Sequence, residues 1–213
     1  MQELRALAAT LYPGHGFGDV LQRLRPSICP FDELLPFVPP SSTVLDVGCG
    51  SGLFLGLLAL DGRLGHGTGI DLSARAIERA RRMTARLPEA MSRSVELVVG
   101  GLADLPRDTF DVVTMVDVMH HIPVAERRDA FLLAAKRVRK GGLFLYKDLH
   151  PGPWWRATAN RMHDLALAHE WVKYVSADDI RSWISESGLV AEVELELPRL
   201  WYAHAGFVLR RAG

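Results

Sequence analysis

Three stretches of this chain place reactive side chains at spacings that chemistry can use. Val44 to Gly52 reads VLDVGCGSG, an apolar run that ends in Gly48, Gly50 and Gly52 and carries Asp46 just ahead of them. Glycines between a strand and a helix let the chain turn sharply and let a ligand touch the backbone. The helix start behind them offers unpaired N–H groups and the positive end of a dipole to an anionic group. A second stretch, Gly69-Ile70-Asp71-Leu72-Ser73, closes the next apolar run with a carboxylate. It lies roughly 20 residues past the glycines, where an acid accepts hydrogen bonds from ribose hydroxyls. Ser73 is better placed than Asp71 to cap a helix beginning near Ala74, which leaves Asp71 for a ligand. The third stretch, FDVVTMVDVMHHI, brings Asp117, His120 and His121 to the end of another apolar run. A carboxylate beside an imidazole orients the ring and raises its basicity, as a general base requires. If the chain turns helical there, Asp117 shares a face with His121 and also with His120. His121 oriented by Asp117 is the expected base and His120 the alternative; two histidines facing solvent or backbone at a helix start remain open. Tyr146, Asp148 and His150 reach the same edge from the following run. Three histidines without compact ligand spacing do not make a zinc site, and no metal is expected.

The glycine spacing separates two nucleotide chemistries. Dinucleotide sites use G-x-G-x-x-G, whose longer loop accommodates a pyrophosphate. Here the order is G-x-G-x-G, with Asp46 two residues ahead of the first glycine. A hydride-transferring, NAD-dependent enzyme is disfavoured on that ground.

These residues need elements to hold them. Strand-length runs alternate with helix-period segments: TVLDV, a helix over 53–60, GTGIDL, a helix over 74–86, VELVV, DVVTMV, a helix over 125–138, then GGLFLYKDL. Such alternation predicts a parallel sheet covered on both faces, with ligands bound beyond the carboxyl ends of its strands. Residues 1–42 are punctuated by proline and glycine, with a short helical start over 3–11 and an apolar stretch over 31–38. Ser176 reads as the N-cap of a helix that ends at Gly188. AEVELEL and HAGFVLR then read as a hairpin of two strands.

VLDVGCGSG followed by GIDLS, FDVVTMVDVMHHI and KGGLFLYKD resembles the class I S-adenosylmethionine-dependent methyltransferase superfamily, and within it the bacterial small-molecule branch. The resemblance spans about residues 43–150, and the C-terminal helix and hairpin also suit it. It implies an α/β fold: a Rossmann-like, doubly wound, seven-stranded and mostly parallel sheet whose last strand is antiparallel, with an N-terminal helical lid. It implies S-adenosyl-L-methionine as cofactor. Asp46, Gly48, Cys49, Gly50 and Gly52 would hold its methionine end, with Asp46 organising the ammonium. Asp71 would hold the ribose and Leu72 would pack on the adenine. Family members place an acid after the third strand, for the adenine amino group; here Gly101 occupies that position and Leu102 follows, with Asp104 a possible substitute. Asp117 would also touch the cofactor. Residues 1–42 and an aromatic, histidine-rich stretch with Trp154, Trp155, His163, His169, Trp171 and Tyr174 would build the acceptor pocket and its lid; the aromatic side chains read equally as the core of a lid, or as a membrane-touching face for a lipid acceptor.

Composition narrows the partners. The 213 residues carry 25 basic and 25 acidic side chains, and a dedicated nucleic-acid binder usually carries a positive excess. Arg75, Arg79, Arg81, Arg82 and Arg86 crowd one predicted helix, which reads as a solvated face. Cys29 and Cys49 make no disulfide framework, the N-terminus lacks an apolar signal core, and no run of roughly 18 apolar residues would span a membrane. The expectation is therefore a cytoplasmic enzyme of one methyltransferase domain over 1–213: a lid over 1–42, a cofactor-binding core over 43–150, and an acceptor-side insert, helix and hairpin over 151–213. It would methylate a small, partly apolar acceptor, on oxygen, without nucleic acid. The alternatives are an RNA or protein methyltransferase and a catalytically silent cofactor-binding protein. The sequence leaves the oligomeric state open.

Overall fold

Ser42–Val47 forms the first strand, β1, buried at five of its six positions because its neighbours and helices cover both faces. The computed structural model describes residues 2–106, 108–149, 174–197, 199 and 204–213. Two helices precede β1, α1 (Gln2–Leu11) and α2 (Phe17–Ile28), followed by the single turn α3 (Phe31–Leu34). Beyond β1 come α4 (Leu53–Leu60), β2 (Leu64–Asp71), α5 (Ala74–Thr84), α6 (Glu89–Arg93), β3 (Val95–Val99), β4 (Phe110–Val116), α7 (Arg127–Ala135) and β5 (Val138–Leu149). The described C-terminal elements are α8 (Ala177–Ser187), β6 (Leu189–Glu196) and β7 (His204–Arg211).

The strands form one seven-stranded sheet in the order β3-β2-β1-β4-β5-β7-β6. All pairings from β3 through β5 are parallel, and β7 runs antiparallel to both β5 and β6. The expected hairpin and antiparallel last strand are present. The strand order reverses between β1 and β4, the switch point outside which ligands of open α/β sheets bind.

Alternation along each strand divides the core into two layers. Val44, Val112, Leu143 and Leu145 face one layer, with Leu11, Phe31, Phe54 and Leu57 from the N-terminal helices and α4. Leu45, Val113, Phe144 and Tyr146 face the other, with Phe131 of α7 and Ile184 of α8. α4 is apolar all round and buried from Leu53 to Ala59, so α1 can pack over it. In α5, Ile77, Ala80 and Met83 are buried while Arg75, Arg81 and Arg82 are exposed, the solvated face that was expected.

Some elements depart from the sequence reading. α2 carries Pro26 inside it, and a proline removes an N–H and strains the preceding turn, so this stretch did not read as helix. The helix expected over 125–138 is shorter, because Val138 already pairs with Phe110 as the first residue of β5. α6 was not foreseen. By contrast the cap of α8 is as expected: Ser176 Oγ accepts from the Asp179 N–H at 3.0 Å, and Gly188 ends the helix at φ 71°. Among the described residues no helix is long and apolar enough to cross a membrane.

Candidate active site

β1 delivers the glycine loop to the switch point. Gly48, Gly50 and Gly52 all have positive φ, at 68°, 56° and 83°. A side chain at position 48 would start 2.5 Å from Val118, so the loop needs glycine there for space as well as for conformation. At position 50 nothing lies within 4 Å, and the backbone faces open space. The loop is tied to β2: the Cys49 N–H donates to Ile70 O at 2.9 Å and the Gly50 N–H to Asp71 Oδ2 at 2.9 Å. Asp71 also accepts from the Ser73 N–H at 2.8 Å through Oδ1. Each carboxylate oxygen keeps a further acceptor site, so Asp71 retains the capacity to take ribose hydroxyls. Ser73 caps α5 through the Ala76 N–H, as expected. Tyr12, at the end of α1, donates its hydroxyl to Ser51 O at 2.5 Å and ties the loop to the N-terminal helices.

Asp46 sits behind the loop, buried, and accepts from Thr114 Oγ1 on β4 at 2.6 Å. Burial pushes its carboxyl up to about 7, against the Thr114 hydroxyl and Arg25, which favour the anion. Asp46 and Gly48 line a cleft whose other wall comes from α2 and α3, with Gln22, Arg25 and Phe31. The Gln22 Oε1 atom is buried there and has no hydrogen-bond partner among the described residues. Further along the strand ends, Leu72 is 81% exposed, with its side chain beside Gly101. Asp104 accepts from the Gly101 N–H at 2.8 Å, so it holds this loop. Leu102 is buried in the adjoining core layer.

The acid–base cluster differs from the expected one. Asp117 leaves β4 in a left-handed conformation, φ 59°, and only then does a 3₁₀ turn, Met119–His121, begin. Because Asp117 is outside any helix, the i to i+4 face that would pair it with His121 does not form. Its carboxylate instead accepts from Lys147 Nζ at 2.5 Å and lies 3.5 Å from the Arg25 guanidinium. The carboxylate that orients a histidine is Asp148: it contacts His120 Nδ1 and also accepts from the His120 N–H at 3.1 Å. Strand alternation explains the split. Lys147 and Asp148 are consecutive on β5 and point to opposite faces, so each serves a different partner.

The electrostatics follow these pairings. Burial would raise the Asp117 carboxyl, but Lys147 and Arg25 hold it well below the usual carboxylate range. Burial would lower the His120 imidazole, but the charge and hydrogen bond of Asp148 raise it. Arg127 donates to Ile122 O at 2.8 Å and to His120 O at 3.3 Å, which fixes the turn that carries the ring. His121 is exposed, with its ring centroid 4.1 Å from that of His120. On β7, His204 is buried and donates from Nε2 to Ile28 O at 3.0 Å; burial and then Lys147 lower it to about 3.

Sequence reasoning missed Gln22, Arg25, Thr114, Lys147 and His204. Lys147 had a legible signal, a charge directly after the apolar run 143–146 of the same strand. Gln22 and Arg25 had none, since the helix that presents them was hidden by Pro26. His150, Trp154, Trp155, His163, His169 and Trp171 lie outside the described residues, and among the described residues no cluster of His, Cys, Asp and Glu could hold a metal ion.

Residues 21–193 match a family model described as a methyltransferase domain. The chain belongs to this methyltransferase family. S-adenosylmethionine is the methyl donor that the family uses. This methyltransferase is similar in fold to magnesium protoporphyrin IX methyltransferase from Synechocystis with bound SAH, at a TM-score of 0.71 and 18% identity over 97% of this chain and 93% of that one. Among curated proteins it is 29% identical over 162 residues to the mitochondrial ubiquinone biosynthesis O-methyltransferase of Candida albicans, covering 73% of this chain and 48% of that protein. It is also 29% identical over 153 residues to the ubiquinone biosynthesis O-methyltransferase of Alkalilimnicola ehrlichii, covering 69% of this chain and 60% of that protein. The methyltransferase thus spans about half to three fifths of the length of these two relatives. Its own residues fit the family's donor. The orphaned Gln22 oxygen and the Asp46 carboxylate suit an ammonium, Arg25 suits a carboxylate, and the open face at Gly50 suits close approach of a ligand.

Proposed function

We propose that this protein transfers a methyl group from S-adenosylmethionine to an oxygen of a small, partly apolar acceptor, with His120 as general base. The observation that carries the reading is the His120–Asp148 pair, set beyond the same strand ends as Asp46 and Asp71. Gln22 and Asp46 take the donor's ammonium, Arg25 its carboxylate, Asp71 its ribose, and Leu72, Gly101 and Leu102 flank its adenine. The donor supplies a methyl already activated on a sulfonium, which passes to the acceptor oxygen while the C–S electron pair returns to sulfur. The chain has therefore to align the acceptor and take one proton. With Nδ1 held by Asp148, Nε2 of His120 is the nitrogen that receives the hydroxyl proton. Asp148 stabilises the imidazolium so formed. His121, beside it, is the alternative base. The names of the two curated relatives support oxygen as the methylated atom. A cytoplasmic setting belongs to the same reading, supported by the free thiols Cys29 and Cys49.

Calorimetric titration tests the donor and label transfer tests the acceptor. The expected results are binding of S-adenosylhomocysteine but not NAD, and transfer of a labelled methyl to members of a panel of small hydroxylated aromatics. Binding of NAD without S-adenosylhomocysteine, or label found on RNA or protein alone, overturns the proposal.

A further inference from the structure

Lys147 sits on β5 with its side chain 0% exposed. A buried ammonium without a partner is costly, so this burial demands an anion nearby. The anion is Asp117, whose Oδ1 accepts from Lys147 Nζ at 2.5 Å. Asp117 Oδ2 lies 3.5 Å from Arg25, a guanidinium that comes from the other side, on α2. One carboxylate is thereby shared between a cation of the sheet and a cation of the lid. Cys29, His204 and His120 also face Asp117, and among the described residues no second carboxylate faces Lys147 or Arg25 as closely.

Arg25 has a second task. It lines the cleft with Asp46, Gly48 and Gln22, where the reading above places the donor's carboxylate. Asp117 and the donor therefore compete for one guanidinium. Without a compensating cation, Asp117 would hold Arg25 for itself and would repel the incoming carboxylate, both in a partly buried setting where such forces are poorly screened. We propose that Lys147 is a positioning residue that neutralises Asp117 and so leaves Arg25 available to the carboxylate of the bound methyl donor. The proposal rests on the donor assignment above. Its effect should be confined to the carboxylate end of the ligand, because Lys147 and Asp117 act on the ligand through Arg25.

The test separates that end from the rest of the molecule. Lys147→Met keeps length and removes charge. Titration with S-adenosylhomocysteine should show affinity lowered about tenfold or more, the scale of a charge left uncompensated at a binding site. S-adenosyl-3-thiopropylamine, which is the same molecule without the carboxylate, should bind the wild type and K147M alike. Adding D117N to K147M should restore binding of S-adenosylhomocysteine, and K147R should retain it. Equal loss for both ligands, no loss for either, or no rescue by D117N overturns the role of Lys147. Should K147M fail to fold, the K147M/D117N and K147R proteins decide: loss of carboxylate-dependent affinity in either refutes the proposal. A wild type that binds neither ligand refutes the donor assignment instead.

Discussion

If Asp46 takes the donor's ammonium as proposed, donor binding should respond to pH in a range where few carboxylates titrate. Its carboxyl is pushed up to about 7 by burial, with the nearby Asp71 charge adding to the effect and Thr114 and Arg25 opposing it. In the proposed site the donor's ammonium pairs with the ionised form. Protonating Asp46 therefore opposes binding, and affinity should fall as pH drops through 7. With a midpoint of about 7, the ionised fraction falls from about three quarters at pH 7.5 to about one thirtieth at pH 5.5, a factor of about 25 or ~1.9 kcal/mol. The ligand contributes little to this change, since α-amino groups titrate near ~7.7–8.0 and stay largely protonated below that. Calorimetry with S-adenosylhomocysteine at half-unit steps from pH 5.5 to 7.5 reads the slope directly. Asp46→Asn, which cannot titrate, should bind more weakly at pH 7.5 and show a nearly flat profile. A flat wild-type profile would refute the raised carboxyl. An unchanged slope in Asp46→Asn would show that another group carries it.

Two further predictions concern the base and the loop. His120→Gln should lower turnover by about 10²–10⁴ while leaving S-adenosylhomocysteine affinity within a few fold, the usual worth of a general base. Because Asp148 raises the His120 imidazole, the acid limb of the rate profile should lie above the ordinary histidine value of about 6.5, and Asp148→Asn should move it to lower pH. By the same sign, stability contributed by this pair is complete below about 6.5 and fades as pH rises through the raised value. Full turnover in His120→Gln would remove the ring from the mechanism. Gly48→Ala should destabilise by ~2–5 kcal/mol in urea unfolding, from ~1–2 for the left-handed backbone and ~1–3 for overlap with Val118. Gly50→Ala, with the same handedness and no neighbour within 4 Å, should cost only ~1–2 kcal/mol, and an equal or larger loss there would contradict the packing argument.

The sheet, and the residues of the proposed donor end, were legible because they rest on local pattern. Strand-length apolar runs mark β1, β3, β4 and β5, and each is followed by a turn or helix signal within a few residues. The placement of the glycines beside Asp71 could be read because a strand end, a tight loop and an acid at the next strand end form a unit of about 30 residues. The hairpin of β6 and β7 and the caps of α8 were readable for the same reason. Position 101 was read as lacking the expected carboxylate, and the structure puts Asp104 on its backbone N–H.

The pairing of acids with bases was not legible, and Asp117 shows why. Helical spacing matches it to His121, but that match presumes an ordinary backbone, and Asp117 instead takes a left-handed turn with its carboxylate on Lys147, 30 residues away in sequence. Arg25 and His204 enter the cluster only because α2 folds over the strand ends and β7 lies beside β5. Period and spacing determined which residues end each strand and so which functional groups share an edge. Which cation meets which carboxylate was decided by the order of strands and by the face each side chain takes, since burial forces every charge to find its partner across the sheet rather than along the chain.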